Sequence, residues 1–136
     1  MKKQKLYNFF WIALLLLAVF FSGRAVVKWV TEPGELDGFA QCLADKGVKF
    51  YGAFWCPHCQ EQKKLFGKSV KKLPYVECST PDGAGQLQVC KDLKIEGYPT
   101  WILPSGERLV PGQNGFSVEK SIGILAEKSQ CVLPVK

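Results

Sequence analysis

The sequence lacks internal repeats, low-complexity stretches and any long run of basic residues. Its apolar content of 47% is higher than that of disordered chains, and it has none of the glycine periodicity of collagen-like proteins. With 136 residues it is too short for two large domains. What it does contain is six cysteines and a formal net charge of +6, and the meaning of both depends on where they lie.

The first 25 residues contain no acidic residue. Lys2, Lys3 and Lys5 precede thirteen consecutive apolar residues, Phe9 to Phe21. Counted from Leu6 to Gly23, eighteen helical residues span roughly 27 Å, which is enough to cross a bilayer core. The positive-inside rule then places the N-terminus in the cytoplasm and the rest of the chain outside.

We therefore expect residues 1–31 to form a single-pass membrane anchor with a short linker, and residues 32–136 to form an extracytoplasmic domain. The alternative is a signal segment removed after Ala25, because Gly23 and Ala25 form a small-x-small pattern. A buried helix of a cytosolic protein is the third possibility. The first two interpretations both export the domain to a compartment where disulfides persist.

The net charge divides unevenly between leader and domain. The leader charges, +4 in all, are those of Lys2, Lys3, Lys5 and Arg24. The remaining 14 basic and 12 acidic residues are interspersed and leave the domain at +2. Its basic cluster consists of Lys63, Lys64, Lys68, Lys71 and Lys72. Because their spacing is helical, we interpret them as a solvated helix face, and we expect no nucleic-acid partner.

After the linker, the apolar pattern predicts an α/β domain with the order α, β, α, β, α, β, β, α. The predicted helices are Glu35–Lys46, Pro57 to about Leu73 with a weak point at Gly67, Gln86–Lys94 and Ser117–Lys128. The predicted strands are Val48–Trp55, Tyr75–Cys78, Thr100–Leu103 and Arg108–Val110, the last two joined by a turn at Pro104–Glu107. The first strand is nearly all apolar, which is typical of a strand buried on both faces.

The motif Cys56-Pro57-His58-Cys59 lies where this first strand turns into a helix. The thiolate is the nucleophile in disulfide exchange, and the unpaired N–H groups and positive dipole end of a helix N-terminus stabilise it. We assign Cys56 as the attacking sulfur and Cys59 as the resolving sulfur. His58 is expected to favour the Cys56 thiolate further, as a nearby donor or cation.

Two other interpretations of the motif remain open. In the first, Cys56 and Cys59 form a purely structural bridge in a tethered binding or chaperone module. In the second, they bind zinc together with Cys78 and Cys90. Eleven residues separate Cys78 from Cys90, whereas zinc knuckles usually have two to four, so a metal site is not favoured. The redox interpretation requires no metal and no organic cofactor.

The segments Phe54-Trp-Cys-Pro-His-Cys59 and Gly97-Tyr-Pro-Thr100, about forty residues apart, resemble the thioredoxin superfamily over roughly Glu35–Lys128. The resemblance implies a thioredoxin-like three-layer sandwich, here preceded by one N-terminal transmembrane helix. It also implies that Pro99 follows a cis peptide bond and packs beside the active-site cysteines. The substrate edge would comprise Trp55, Tyr98, Pro99 and Thr100. Trp55 and Tyr98 either shape substrate access or simply pack at the rim.

The segments FYGAFWCPHCQEQKKLFG, YVECS and GYPTW, together with Cys90, are more similar still to one branch. That branch is the thioredoxin-like domain associated with bacterial and plant homologues of vitamin K epoxide reductase. The resemblance implies transfer of oxidising equivalents to exported cysteine-containing proteins. We expect the membrane partner, a quinone-linked thiol oxidase of that reductase type, to be a separate chain.

The same branch has a structural disulfide at the spacing of Cys78 and Cys90, which implies that these two residues pair here. Cys42 and Cys131 are the residues that remain. They either pair with each other, stay free, or form an intermolecular bond, because six cysteines allow fifteen connectivities.

The sequence departs from the family at Phe50. Thioredoxins have a buried acid six residues before the first motif cysteine, which assists proton transfer at the resolving sulfur. Either another group or water takes that role here. The Pro-His pair also resembles periplasmic oxidases, so the oxidase direction is favoured. Glu61 and Glu77 are interpreted as surface acids rather than proton acceptors, and Trp101 as a strand residue.

Overall fold

The computed structural model describes the backbone of residues 2–134 and the side chains of that range except residues 2, 5, 6 and 29–31. The chain divides after Glu32 into two units. The first contains helix α1, Lys2–Thr31. Within it, the 22-residue span Tyr7–Lys28 includes an 18-residue window with a mean hydropathy of 2.2. By length and composition this helix can cross a membrane, since 22 helical residues extend about 33 Å.

The second unit is the α/β domain. Its helices are α2 (Asp37–Asp45), α3 (Pro57–Leu65), α4 (Gln88–Asp92) and α5 (Ser121–Ser129), with a 3₁₀ helix at Gly67–Lys72. Its strands are β1 (Lys49–Gly52), β2 (Tyr75–Glu77), β3 (Thr100–Ile102) and β4 (Arg108–Leu109). The predicted order of elements is confirmed, and the observed elements are mostly shorter than the predicted ones.

The four strands form one mixed sheet in the order β2-β1-β3-β4. β1 pairs with β2 in parallel and with β3 antiparallel, and β4 completes an antiparallel hairpin with β3. In this register Phe50 lies opposite both Tyr75 and Trp101. The strand that leads into the cysteine motif is therefore central, with a partner on each side.

Successive residues of β1 point into two different core layers, as the alternation of a strand requires. Phe50 belongs to the larger layer and Tyr51 to the smaller one, which contains Cys78, Cys90 and Ile95. The helical segments that contribute to the larger layer do so through Phe39 and Leu43 of α2, Cys59 of α3, Phe66 directly after α3, and Leu125 of α5. Helices thus cover both faces of the sheet, and the predicted three-layer class is confirmed.

Several element boundaries differ from the prediction for local reasons. β1 ends at Gly52 rather than Trp55, because the chain then turns and the Cys56 N–H donates to the Ala53 carbonyl at 3.0 Å. The predicted long helix after Pro57 breaks at Gly67, which has a left-handed φ of +51°. The last helix begins at Ser121 rather than Ser117.

Two disulfides cross-link the domain. Cys42 of α2 bonds to Cys131, which follows α5, and Cys78 after β2 bonds to Cys90 of α4. The first bridge joins residues 89 positions apart and connects the two ends of the domain, whereas the second spans 12 positions. Because Cys78 and Cys90 are bonded to each other, they are not available as the second pair of zinc ligands.

Replacing Cys42 and Cys131 together by serine should lower the free energy of unfolding by about 2–5 kcal/mol, because the bridge restricts a long loop of the unfolded chain. Urea unfolding of the full chain in detergent measures this loss. An unchanged unfolding midpoint, or alkylation of Cys42 in the non-reduced protein, would contradict the pairing.

Candidate active site

Cys56 occupies the N-cap of α3, with Pro57 at the first helical position. Its Sγ accepts a hydrogen bond from the Cys59 backbone N–H at 3.3 Å. The Cys56 thiol also donates to the Tyr98 carbonyl oxygen at 3.6 Å. The sulfur therefore faces the unpaired N–H groups at the start of a helix, where negative charge is stabilised.

Cys59 lies on the first turn of α3 and is fully buried, whereas Cys56 is 5% exposed. Both cysteines are free thiols in this structure. Burial, followed by the hydrogen bond with Cys56 and the charge of that neighbouring sulfur, raises the pKa of Cys59 to about 12. The two sulfurs thus have different environments, as the division into attacking and resolving roles requires.

The His58 side chain contacts Glu61. Its Nδ1 lies 3.1 Å from Glu61 Oε2, and both side chains are more than half exposed. The structure therefore places Glu61 beside the motif as the partner of His58. The predicted influence of His58 on Cys56 stays a prediction.

The loop opposite Cys56 contains the cis peptide bond between Tyr98 and Pro99. Pro99 is fully buried. Thr100 begins β3, and its hydroxyl donates to the Gly97 carbonyl at 2.8 Å, which closes the turn around the proline. Through this turn, the Tyr98 carbonyl reaches Cys56, while the Thr100 side chain is buried rather than offered to a substrate.

An aromatic surface, formed by Phe54, Trp55 and Tyr98, lies beside Cys56: Phe54 and Trp55 directly precede it in the chain, and Tyr98 contacts its sulfur and Trp55. Phe54 and Trp55 are 47% and 52% exposed. The indole Nε1–H of Trp55 donates to Ser79 Oγ at 2.8 Å, and its ring packs edge-on against Tyr98 at 6.0 Å. Trp55 is therefore held in place at the rim with half of its surface free. Sequence reasoning did not assign Phe54 to this surface, although its position two residues before Cys56 was a usable signal.

Phe50 fills the position of the buried acid with an aromatic ring. Its ring stacks on Trp101 with 4.5 Å between centroids and meets Tyr75 edge-on at 5.3 Å. Trp101 is a buried strand residue, as predicted. The space beneath the cysteines is thus apolar at this point.

Glu77 is not the surface acid that the sequence predicted. It is half-buried, and its Oε1 accepts hydrogen bonds from the backbone N–H groups of Phe54, Cys78 and Ser79 at 2.8–3.2 Å. Its Oε2 accepts the Tyr75 hydroxyl at 2.7 Å. Desolvation opposes ionisation, but these hydrogen bonds outweigh it and hold the pKa of Glu77 below its ordinary value. Glu77 therefore ties the turn before Cys56 to the end of β2.

Two lysines of the predicted solvated face have specific contacts. Lys63 Nζ lies 3.4 Å from the centre of the Tyr75 ring, and Lys72 pairs with Asp37 at 3.4 Å.

Desolvation and the bond to Glu77 raise the pKa of Tyr75 well above its ordinary value, so its hydroxyl remains protonated. Sequence reasoning missed Lys63 and Tyr75 as neighbours of the site. The available signal was that Lys63 follows Cys59 by one helical turn.

The thioredoxin family model matches residues 37–124. The chain belongs to the thioredoxin family. The match includes the cysteine motif, the cis-proline turn and all four strands.

Two curated thioredoxin-type relatives are similar over this domain. Thiol-disulfide oxidoreductase LTO1 of Arabidopsis thaliana is 42% identical over 96 residues, which cover 60% of this chain and 25% of that protein. The thioredoxin domain-containing protein 5 homolog of Drosophila melanogaster is 34% identical over 98 residues, covering 63% of this chain and 22% of that protein. The chain thus spans about a quarter of the length of these relatives.

Replacing Gly52 by alanine should disturb the site, because an added Cβ would lie 2.9 Å from Cys59 Sγ and 3.0 Å from Tyr75 Cε2. We expect a loss of about 1–3 kcal/mol in the free energy of unfolding and a slower reaction at Cys59. Gly123→Ala is the matched control, since nothing lies within 4 Å of its added Cβ. Equal unfolding midpoints for the two variants would contradict the close packing at Gly52.

Alkylation of the reduced motif at pH 7 should modify Cys56 and leave Cys59 unmodified. With a pKa of about 12, only about one Cys59 in 10⁵ is ionised at pH 7, and this fraction rises roughly tenfold per pH unit. Peptide mass mapping after iodoacetamide treatment at several pH values measures both sites. Rapid labelling of Cys59 at neutral pH would contradict its buried, protonated state.

Proposed function

We propose that the chain is a thiol-disulfide oxidoreductase that exchanges disulfides with protein substrates through Cys56 and Cys59. The observation that carries this proposal is the placement of the Cys56 sulfur. It lies at the N-terminus of α3, accepts the Cys59 N–H, and faces the Tyr98 carbonyl beside the cis proline. This placement beside a helix N-terminus and the exposed aromatic surface suits a sulfur that exchanges disulfides with an extended peptide.

In the oxidase direction, a substrate thiolate attacks Sγ of Cys56 in the disulfide form and breaks the Cys56–Cys59 bond. Cys59 leaves as a thiolate and takes up a proton. A second substrate thiolate then attacks the substrate sulfur of the mixed disulfide, and Cys56 departs with the electron pair. The substrate has lost two electrons, and the motif has gained them as two thiols.

We propose this direction for two reasons. The hydrogen bond to Cys56 Sγ stabilises the reduced motif, which makes the corresponding disulfide a better oxidant. In addition, Phe50 stands where thioredoxins carry a buried acid, and this difference distinguishes the site from that of thioredoxin-type reductases. The alternative binding module with a structural Cys56–Cys59 bridge is less well supported, because a purely structural bridge does not require a helix N-terminus and a cis-proline turn beside the Cys56 sulfur.

We further propose that the enzyme is a single-pass membrane protein with its domain outside the cytoplasm. The apolar span Tyr7–Lys28 and the lysines that precede it support this topology. The two structural disulfides suit an oxidising compartment. Cleavage near Ala25 would leave the same domain free in that compartment.

The proposed partners are exported cysteine-containing proteins as substrates and a separate membrane thiol oxidase as electron acceptor. Their support is the similarity of the motif segments to the domain associated with vitamin K epoxide reductase homologues. In this scheme the acceptor reoxidises Cys56 and Cys59 and passes the two electrons to a quinone.

Replacing Cys59 by alanine should trap mixed disulfides between Cys56 and its partners, because the sulfur that resolves them is gone. Non-reducing electrophoresis of the full chain from cells, followed by mass mapping of the adducts, detects them. The Cys56→Ala variant is the control and should trap none. Absence of adducts, together with no thiol exchange on a test protein, would refute the enzyme proposal.

The reduction potential of the Cys56–Cys59 pair distinguishes the two directions. Strong dithiol oxidants have values of about −120 mV, and thioredoxin-type reductants about −270 mV. We expect a value nearer the first. A value near that of the thioredoxin-type reductants would leave the oxidoreductase proposal intact, but it would contradict the oxidase direction.

A further inference from the structure

Both directions of the proposed exchange pass through the Cys59 thiolate. In one direction Cys59 is the leaving group, and in the other it is the nucleophile that attacks the mixed disulfide. The surroundings of Cys59 oppose that charge. Cys59 is fully buried and belongs to the same apolar core cluster as Phe50, whose ring contacts Tyr75. The family's acid is absent, so the groups that can stabilise the Cys59 thiolate are the other residues around it and solvent.

The ring of Tyr75 flanks Cys59 across Gly52. The point where a Gly52 Cβ would stand is 2.9 Å from Cys59 Sγ and 3.0 Å from Tyr75 Cε2. These two atoms are therefore within about 6 Å of each other, with no side chain of Gly52 between them. The glycine is what lets the ring and the sulfur approach this closely.

Lys63 brings a positive charge to the same place. It follows Cys59 by four residues on α3, so the two side chains lie on one face of the helix. Its Nζ is 3.4 Å from the centre of the Tyr75 ring, a close cation–π contact, and the side chain is half-buried. The lysine ammonium thus lies over the Tyr75 ring, one edge of which is within about 6 Å of Cys59 Sγ.

Tyr75 itself is fixed from the other side. Its hydroxyl donates to Glu77 Oε2 at 2.7 Å, and Glu77 is in turn held by three backbone N–H groups. Glu77 stays ionised because of these bonds, and burial together with the bond that Tyr75 donates to Glu77 keeps the pKa of Tyr75 high and its hydroxyl protonated. The ring therefore forms a rigid platform for the lysine ammonium.

The charged and titratable groups around Cys59 act in opposite senses. On α3, the Cys56 sulfur disfavours the Cys59 thiolate and the Lys63 ammonium favours it. On β2, Tyr75 is neutral and Glu77 lies beyond its hydroxyl. On β1 and in the turn after it, Gly52 and Ala53 carry no ionisable group, and a hydrogen bond with the Ala53 backbone favours the Cys59 thiolate alongside Lys63.

We propose that Lys63, seated on the Tyr75–Glu77 platform, is a positioning residue that stabilises the Cys59 thiolate in both half-reactions. This inference rests on the proposed function and adds a residue to its site. In the reductive half-reaction, the Cys59 thiol loses its proton to solvent, and the thiolate attacks Cys56 Sγ. The Cys56–Cys59 bond forms, the bond from Cys56 to the substrate sulfur breaks, and the departing thiolate takes a proton from solvent.

The test uses the reduced full chain in detergent and an aromatic disulfide that releases one coloured thiolate at each step. Attack by Cys56 gives the first phase, and resolution by Cys59 gives the second. The Cys59→Ala variant identifies the second phase, because it should retain only the first. The variants compared are Lys63→Gln, Lys63→Arg as the conservative replacement, and Lys64→Gln as the exposed neighbour on the same helix.

In Lys63→Gln we expect the second phase to slow roughly tenfold at pH 7 and its pH profile to move upward by about one unit. The first phase should change less than about twofold. Lys63→Arg should restore most of the second phase, and Lys64→Gln should match the unmodified chain. The upward sense follows because removing the cation that stabilises the Cys59 thiolate raises the pKa of the Cys59 thiol.

A second phase and pH profile identical in Lys63→Gln and Lys64→Gln would overturn the inference. So would an equal slowing of both phases, since it would show that Lys63 supports the site as a whole. If the unmodified chain shows no first phase, the proposed function itself fails, and this outcome is distinct from the others. A normal first phase with an unaltered second phase in Lys63→Gln leaves the oxidoreductase intact and removes only the role of Lys63.

Discussion

The stacking of Phe50 on Trp101 across the central strand pair is the contact on which the site depends. The rings are fully buried, 4.5 Å apart, and directly opposite in the antiparallel register of β1 and β3. A one-residue slip would move each ring to the other face of the sheet. β1 leads into Cys56 and β3 follows Pro99, so this register brings the Cys56 sulfur to the Tyr98 carbonyl. The same buried pair occupies the place where an acid would otherwise lie.

The two sulfurs differ because one faces a helix N-terminus and the other faces the core. Cys56 has hydrogen-bond partners at its sulfur and a small exposed surface, whereas Cys59 is enclosed. Burial disfavours a thiolate far more than it disfavours a thiol. The site therefore combines a sulfur with a small exposed surface and one that is enclosed by the protein, which is the difference that the proposed attacking and resolving roles need. Lys63 and Tyr75 adjoin the enclosed sulfur, which is where a compensating charge has most effect, because solvent screens it least there.

Local patterns predicted the parts of the site that are close in sequence. The strand-to-helix transition at Cys56, the attacking and resolving assignment and the element order all follow from short-range features. The prediction that Glu77 is a surface acid was wrong, because an isolated acid in a strand gives the same sequence pattern whether it faces water or backbone N–H groups. Its partners at Phe54, Cys78 and Ser79 come together only when the turn before Cys56 packs against the end of β2. The predicted first strand was too long for a similar reason, since hydrophobicity does not distinguish the residues of a buried strand from the exposed aromatic residues that follow it.

The sequence by itself determined the family fold, the cysteine motif with its chemistry, and an N-terminal helix apolar enough to cross a membrane. These properties depend on residue type and on spacings of a few residues, which physical chemistry converts directly into local structure. Only the tertiary structure decided that Cys42 bonds to Cys131, that His58 turns toward Glu61, and that Lys63 rests on Tyr75 beside Cys59. Each of these depends on the direction of a side chain after packing, and packing joins segments whose separation along the chain carries no information about their distance in space.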